Sequence, residues 1–211
     1  MVKMIVNVND GLQSSVEARP GGKARDAART RARILASAQT IFSAHGYADA
    51  GLREIASDAG INVALVARYF GSKEKLFEAA LDGMLGGAKL WPRQRREFGR
   101  SLVSMFVDDI RMAINPLPML MQAATDPVAQ SVALKLLQSR ILVPLAEWLG
   151  PPHADTRAAQ ILALCAGFFT YRIMLPLAPF SGSLDPAARH WLETTLQDIV
   201  DSGGGKDRHM R

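Results

Sequence analysis

The chain has 211 residues, a hydrophobic fraction of 48% and a formal net charge of +5. That apolar content excludes an intrinsically disordered polymer, and the length suits one sizeable domain or a small domain joined to a larger one. The single cysteine, Cys165, excludes an internal disulfide, and it lies in an apolar run where a thiol acts as a small hydrophobe.

Charge is unevenly placed along the chain. Between Arg19 and Arg33 six basic residues stand against one acid, Asp26, whereas residues 76–211 carry 14 Lys/Arg and 13 Asp/Glu. A basic head on a near-neutral body predicts a polyanionic partner, nucleic acid before membrane; a solvated tail is the plainer alternative. Residues 1–25 are polar and contain Pro20-Gly21-Gly22, so they read as a disordered basic N-terminal arm. The opening M-V-K-M-I-V-N-V-N-D-G lacks the apolar stretch of a signal peptide, and the expected location is the cytoplasm.

Helical periodicity begins next. Ile34, Leu35, Ala38, Ile41 and Phe42 line one face of a helix over 26–45, which Gly46 stops. Short helices follow at 52–59 and 63–69, then one at 73–89 with Leu76, Phe77, Ala80, Leu81 and Met84 inward and Ser72 as its N-cap. Beyond Trp91-Pro92 come longer apolar helices at 94–114, 118–124, 127–149, 156–178 and 186–201. They are separated at Asn115-Pro116, Asp126-Pro127, Gly150-Pro151-Pro152 and Asp185-Pro186. Residues 158–180 approach a membrane span in length, but Arg172, Pro176 and Pro179 favour burial in protein, and no membrane partner is expected. No period-2 segment competes, so the fold class is all-α with about nine helices. The expected division is a domain of four helices at 26–89, a helical domain at 90–202 and a flexible tail at 203–211.

The stretch R-E-I-A-S-D-A-G-I-N-V-A-L-V-A-R-Y-F, residues 53–70, carries the chemistry. Two short helices joined by D-A-G-I-N must cross steeply to bury both Ile55 and Val66. Ala56 is small where the backbones touch, and Gly60 tolerates the positive φ of the turn. This spacing predicts a helix-turn-helix over 51–70. The inner side of its second helix spends Val66 and Phe70 on the core. The outer side offers Asn62, Ala64, Leu65, Arg68 and Tyr69, with Ala64 and Ala67 small enough for close approach to a major groove. Lys73 is placed for a phosphate. The plainer alternative is a helical hairpin whose four signature positions only pack.

Over residues 31–77 the chain resembles the N-terminal DNA-binding domain of the TetR family of transcriptional regulators. F-x-x-x-G-Y at 42–47, I-A-x-x-A-G at 55–60 and Y-F-x-S-K-E-x-L at 69–76 are the most specific parts. The chain departs from the family pattern at Ala50-Gly51, where Thr or Ser is usual, and at Ala64-Leu65-Val66-Ala67, where G-T-L-Y is common. The hydroxyl and tyrosine phosphate contacts usual at 51, 65 and 67 are therefore missing. Backbone N–H groups at Gly51, with Arg53, Arg68, Tyr69, Lys73 and the arm Arg29, Arg31 and Arg33, are expected to carry more of the phosphate binding.

The resemblance implies that the larger half dimerises and holds a small apolar or amphipathic effector. Independently, a helix-turn-helix reads few bases, so a homodimer on a palindromic operator is expected. The dimer candidates are Ile161, Cys165, Phe168, Trp191, Leu192, Thr195, Leu196 and Ile199, about half of which ordinary core packing would claim. The effector candidates are Met105, Phe106, Met112, Met121, Trp148 and Phe169, with Asp109 and Arg172 as polar groups that anchor a ligand, pair with each other or face solvent. No phosphate loop, nucleophile motif or metal-ligand spacing occurs, so neither enzyme activity nor a cofactor is expected. The expected function is a DNA-binding regulator, a repressor released by ligand. The rival is a helical binding protein or enzyme for hydrophobic molecules whose N-terminal helices only pack.

Overall fold

The computed structural model describes residues 20–86, 94–108 and 115–203. Among them every regular element is helical. The helices are α1 (Pro20–Asp49), α2 (Leu52–Asp58), α3 (Val63–Phe70), α4 (Lys73–Leu85), α5 (Phe98–Asp108), α6 (Leu117–Ala123), α7 (Pro127–Leu137), α8 (Val143–Leu149), α9 (Ala154–Phe169) and α10 (Pro186–Asp201). A π-type turn, Gln138–Leu142, runs α7 into α8 without a break, so the described residues form nine rods. Pro144 explains that turn: it cannot donate to the carbonyl one helical turn back, and a widened turn absorbs the mismatch.

Several helix ends differ from the sequence-based expectation. Gly46 breaks the helical path at φ 75°, ψ 179° as expected, but a last turn runs on to Asp49. α5 begins at Phe98 after a short 3-10 turn, Arg95–Glu97, not at 94. α1 starts at Pro20, so Pro20-Gly21-Gly22 opens the helix instead of breaking the chain. Proline's missing N–H costs nothing in a first turn, whose donors have no intrahelical partner anyway. At the far end, a π-type turn, Thr170–Met174, closes α9, and the chain leaves the helix at Leu175, before the expected 178. Pro176 and Pro179 remove the donors a longer helix would need. Local caps sit where the sequence puts them: Ser72 accepts from the Lys75 N–H at 3.1 Å, and Asp126 and Asp185 each accept from two N–H groups at the starts of α7 and α10.

Two apolar cores hold the rods. The first joins Ile34, Ala38 and Phe42 of α1, Ile55 of α2, Val66 and Phe70 of α3, and Leu76, Phe77 and Leu81 of α4. It also takes Met119 and Ala123 of α6 and Val132 and Leu136 of α7. Packing therefore runs straight across residue 90, and the head is built onto the body. Phe42, Tyr47 and Phe77 meet edge to face or stacked, with centroids 5.2–6.2 Å apart. The second core gathers α5, α8, α9 and α10 around Phe98, Leu149, Ile161, Phe168, Leu192 and Leu196. Each fully buried Leu or Phe contributes about 2 kcal/mol.

α5 and α10 touch backbone to backbone. A Cβ on Gly99 would lie 2.0 Å from the Glu193 carbonyl oxygen, so only glycine fits there. Nearby, the buried guanidinium of Arg157 donates to the carbonyls of Leu149, Gly150, Pro152 and Val200. It thereby caps the C-terminal ends of α8 and α10 together, and their negative dipole ends compensate its charge.

Candidate nucleic-acid interface

The α2–turn–α3 unit is fixed from four directions. Gly60 takes φ +61°, the left-handed conformation that turns the chain. The Ile61 N–H donates to the Ala56 carbonyl at 2.9 Å, and the Ser37 hydroxyl of α1 reaches the buried Ile55 carbonyl at 2.9 Å. The guanidinium of Arg33 donates to the carbonyls of Ala59 and Gly60 at the end of α2. Val66, 1% exposed, and Phe70 then pin α3 into the first core.

That packing settles which side of α3 is open. Val63, Ala64, Ala67 and Arg68 are exposed, while Leu65 and Tyr69 are half-buried, Tyr69 against the first core. Arg68 makes no hydrogen bond or ion pair among the described residues, so its guanidinium is available to an outside acceptor. Arg53 is likewise exposed on α2, and Gly51 stands as its N-cap with φ −93° and only Glu54 within 4 Å of the missing Cβ. A short patch of small side chains, flanked by two free arginines, suits close approach to base edges with phosphates alongside.

Four other candidates have partners inside the protein. Asn62 caps α3, its side-chain oxygen accepting from the Ala64 N–H at 2.8 Å. Arg31 lies over the Phe70 ring, 5.0 Å from its centroid. Arg33 closes the α2–α3 turn. Lys73 donates to the Ala48 carbonyl at 3.0 Å and sits 4.8 Å from the centre of Tyr47, tying α4 back to the end of α1. Arg29 is exposed, 3.4 Å from the equally open Asp26. Reading the sequence missed the work of Arg33 and Ser37. Their only trace is a polar residue at 37 inside an apolar face and a lone arginine one residue before that face begins.

In the larger half the structure separates the candidates. Ile161, Phe168, Leu192 and Leu196 are buried within the single chain, which removes them from any surface a second copy could meet. Trp191 is 49% exposed, and Thr195 and Ile199 are half-buried. Cys165 is half-covered by surface area, yet its surroundings push the thiol up to about 12, leaving no thiolate at neutral pH. A missed feature is the exposed apolar run Tyr171, Ile173, Met174, Leu175 and Leu177. Beyond the run, the ring of Phe180 lies between the buried Phe168 and the exposed Trp191, at 6.0 and 6.2 Å.

Of the effector candidates, Phe106 and Phe169 meet edge to face at 4.7 Å, with Met105 beside the same core. Trp148 shares that second core at a different place, against Phe98 and under Arg95. Met121 is 42% exposed on α6. Asp109 and Met112 lie outside the described residues. Arg172 donates to the Phe180 carbonyl at 2.6 Å and the Gly182 carbonyl at 3.2 Å, so it holds the α9–α10 loop. A groove of about 440 Å³ runs between α5 and α10, but its lining of Arg96, Glu97, Arg100, His190, Glu193 and Asp198 is polar, unlike the apolar space expected.

A closed helix-turn-helix with an open, arginine-bearing second helix, mounted on a helical body, defines a DNA-binding regulator of the helix-turn-helix class. Residues 34–80 match the family described as bacterial regulatory proteins, tetR family, and residues 96–200 match the tetracyclin repressor-like C-terminal domain. The chain belongs to the TetR family of transcriptional regulators. It is similar to the HTH-type transcriptional repressor NicS of Pseudomonas putida, 40% identical over 62 residues, covering 29% of each chain. A second relative is the HTH-type transcriptional repressor SCO4008 of Streptomyces coelicolor, 41% identical over 59 residues, covering 28% of this chain and 31% of that one. The matched stretch thus spans less than a third of either repressor.

Solved structures extend the likeness to the whole fold. A TetR-family regulator from Streptomyces coelicolor A3 is 26% identical with a TM-score of 0.50, covering 87% of this chain and 98% of that one. A putative TetR-family regulator from a Rhodococcus species reaches a TM-score of 0.63 at 14% identity, covering 84% and 100%. The multidrug binding protein EbrR, solved with ethidium, has a TM-score of 0.57 at 18% identity, covering 81% and 98%. Family membership removes the rival reading of a hydrophobic-ligand protein with no role at DNA. No helix of the described residues is long and apolar enough to cross a membrane.

Proposed function

We propose that the chain is a ligand-released repressor that binds a palindromic operator as a homodimer. The observation that carries this reading is the unpartnered Arg68 on the open face of a buttressed α3. On this reading Val63, Ala64 and Ala67 admit the backbone to the major groove and Arg68 takes a base edge or phosphate. Arg53 and the Gly51 N–H take flanking phosphates. One α3 reads few bases, so two copies on successive grooves supply specificity.

The surface suited to a second copy is drawn from the exposed apolar run 171–177 and the exposed Trp191. The apolar cluster of Met105, Phe106 and Phe169 is the proposed wall of the effector site; an aromatic ligand has a counterpart in ethidium bound by EbrR. Release would pass through α4, which shares the first core with α3. α4 is also tied to the body by Glu78–Lys135 at 2.8 Å and the two-pronged Asp82–Arg140 pair at 2.6 and 3.1 Å. A ligand that prefers a different α4 position shifts the population of dimers whose heads match the groove spacing.

The test is selection of binding sites from random duplex DNA with the full chain, followed by footprinting. Two-fold symmetric protection, with half-sites about one helical turn apart or a multiple of it, is the expected result. A single unsymmetric half-site sinks the dimeric reading, and failure to enrich any sequence sinks operator recognition.

A further inference from the structure

We infer that the effector site selects its ligand through Asn115, whose side-chain amide donates to the carbonyl oxygen of an uncharged aromatic molecule. This rests on the effector wall of Met105, Phe106 and Phe169 proposed above and names the class of ligand it takes.

The Asn115 amide is committed at one end and unsatisfied at the other. Its Oδ1 accepts from the Leu117 N–H at 3.0 Å, at the start of α6. That bond fixes which way the carboxamide is turned, so its donors lie on the opposite side. Nδ2 is enclosed by protein and, among the described residues, has no hydrogen-bond partner. The buried polar side chains Ser37 and Arg157, by contrast, both donate to backbone carbonyls. An enclosed donor without an acceptor is costly, and an arriving acceptor removes that cost.

Asn115 stands at the second-core end of α6. Leu117, two residues on, is buried there with Phe169, and Phe106 packs against the same core. Room for a ligand shows on α9. Cys165 follows Ile161 by four residues and precedes Phe168 by three, so the three share one face of the helix. Ile161 and Phe168 are 3% and 4% exposed, yet Cys165 between them is only half-buried. Protein nonetheless surrounds its thiol closely enough to push it up to about 12. Accessible surface on an inward face is the wall of a space within the core. Phe169 follows Cys165 by four residues, and its ring meets Phe106 at 4.7 Å. The wall is apolar, and Arg157, the buried cation among the described residues, is spent on carbonyls. A charged ligand group would enter uncompensated, whereas a neutral carbonyl matches the amide donor.

The experiment uses the full chain and two ligand pairs of matched shape: acetophenone with α-methylstyrene, and benzophenone with 1,1-diphenylethylene. Within each pair a C=CH2 group replaces C=O, so the acceptor is the main difference. Dissociation constants are measured by ligand-observed NMR at pH 8 for the wild type, Asn115→Asp and Asn115→Ala, with far-UV circular dichroism showing that the helices are kept. Asn115→Asp retains an oxygen for the Leu117 N–H, and neither variant has the amide donor. The wild type is expected to bind the ketone of at least one pair about tenfold more tightly than its alkene, and both variants to lose that preference. A wild type that binds ketone and alkene alike makes Asn115 a plain helix cap and overturns the inference. A ketone preference that survives in both variants assigns the donor to another group and overturns it as well. If no member of either pair binds the wild type up to its solubility, the apolar effector wall fails first, and the role of Asn115 falls with it.

Discussion

Arg33 of α1 donates to the carbonyl of Ala59, 26 residues away, so a side chain of the first helix closes the turn between the second and third. The carbonyls at the end of α2 have no partner within their own helix, and the guanidinium supplies one together with a favourable charge at the negative end of the helix dipole. The angle between α2 and α3, on which groove entry depends, is held from outside the motif.

Replacing Arg33 separates positioning from phosphate contact. Arg33→Ala is expected to lower stability by about 1 kcal/mol and to weaken operator binding, because α3 is no longer held at one angle. Its salt slope should match the wild type. A slope lower by about 0.9 per protomer would instead mark a lost phosphate contact.

Gly99→Ala reverses the usual sign of a helical Gly→Ala change. In an open helix the alanine would stabilise by about 0.5–1 kcal/mol. Here its Cβ would meet the Glu193 carbonyl at 2.0 Å, so α5 and α10 must part. Chemical denaturation should show a loss of about 2 kcal/mol or more. An unchanged midpoint would mean the two helices are not in backbone contact.

The Cys165 thiol, raised to about 12 by burial, should resist alkylation in the folded protein. At pH 8 its reaction rate is expected to be about a thousandfold below that of the unfolded chain. Since the folded state favours the neutral thiol, this group's contribution to stability is complete below its ordinary value of 9 and declines as pH rises from there toward 12. Rapid labelling without denaturant would show the thiol open to solvent.

Trp191 and Leu192 are neighbours with opposite fates. Leu192→Asp puts a charge into the second core and should unfold the chain, by 3 kcal/mol or more on the order of buried-charge costs. Trp191→Asp with Leu177→Asp should leave the helices intact and shift the mass in solution from dimer to monomer. A double variant that stays dimeric moves the interface elsewhere.

The same pair shows what a sequence can and cannot supply. Helix positions were legible because apolar periodicity and caps such as Ser72, Asp126 and Asp185 act within a few residues. The turn at Gly60 was legible because a positive φ restricts residue type. Which side of α10 faces inward was not, because the contact of Gly99 with Glu193 decides it, and those residues lie far apart in the chain. Nor was the division of labour among the basic residues. Arg31, Arg33 and Lys73 look like free charges until the fold brings Phe70, Ala59 and Ala48 beside them. The early start of α1 was hidden by Pro20-Gly21-Gly22, a breaker in mid-chain that a first turn accepts.

The most direct measurement compares wild type and Arg68→Ala for affinity to the selected operator and to single-base variants of each half-site. Arg68→Ala should bind about 5- to 150-fold more weakly, corresponding to about 1–3 kcal/mol, and lose discrimination at one base pair, with thermal stability and oligomeric state unchanged. Wild-type affinity and an unaltered base preference in Arg68→Ala would contradict an α3 that reads the duplex.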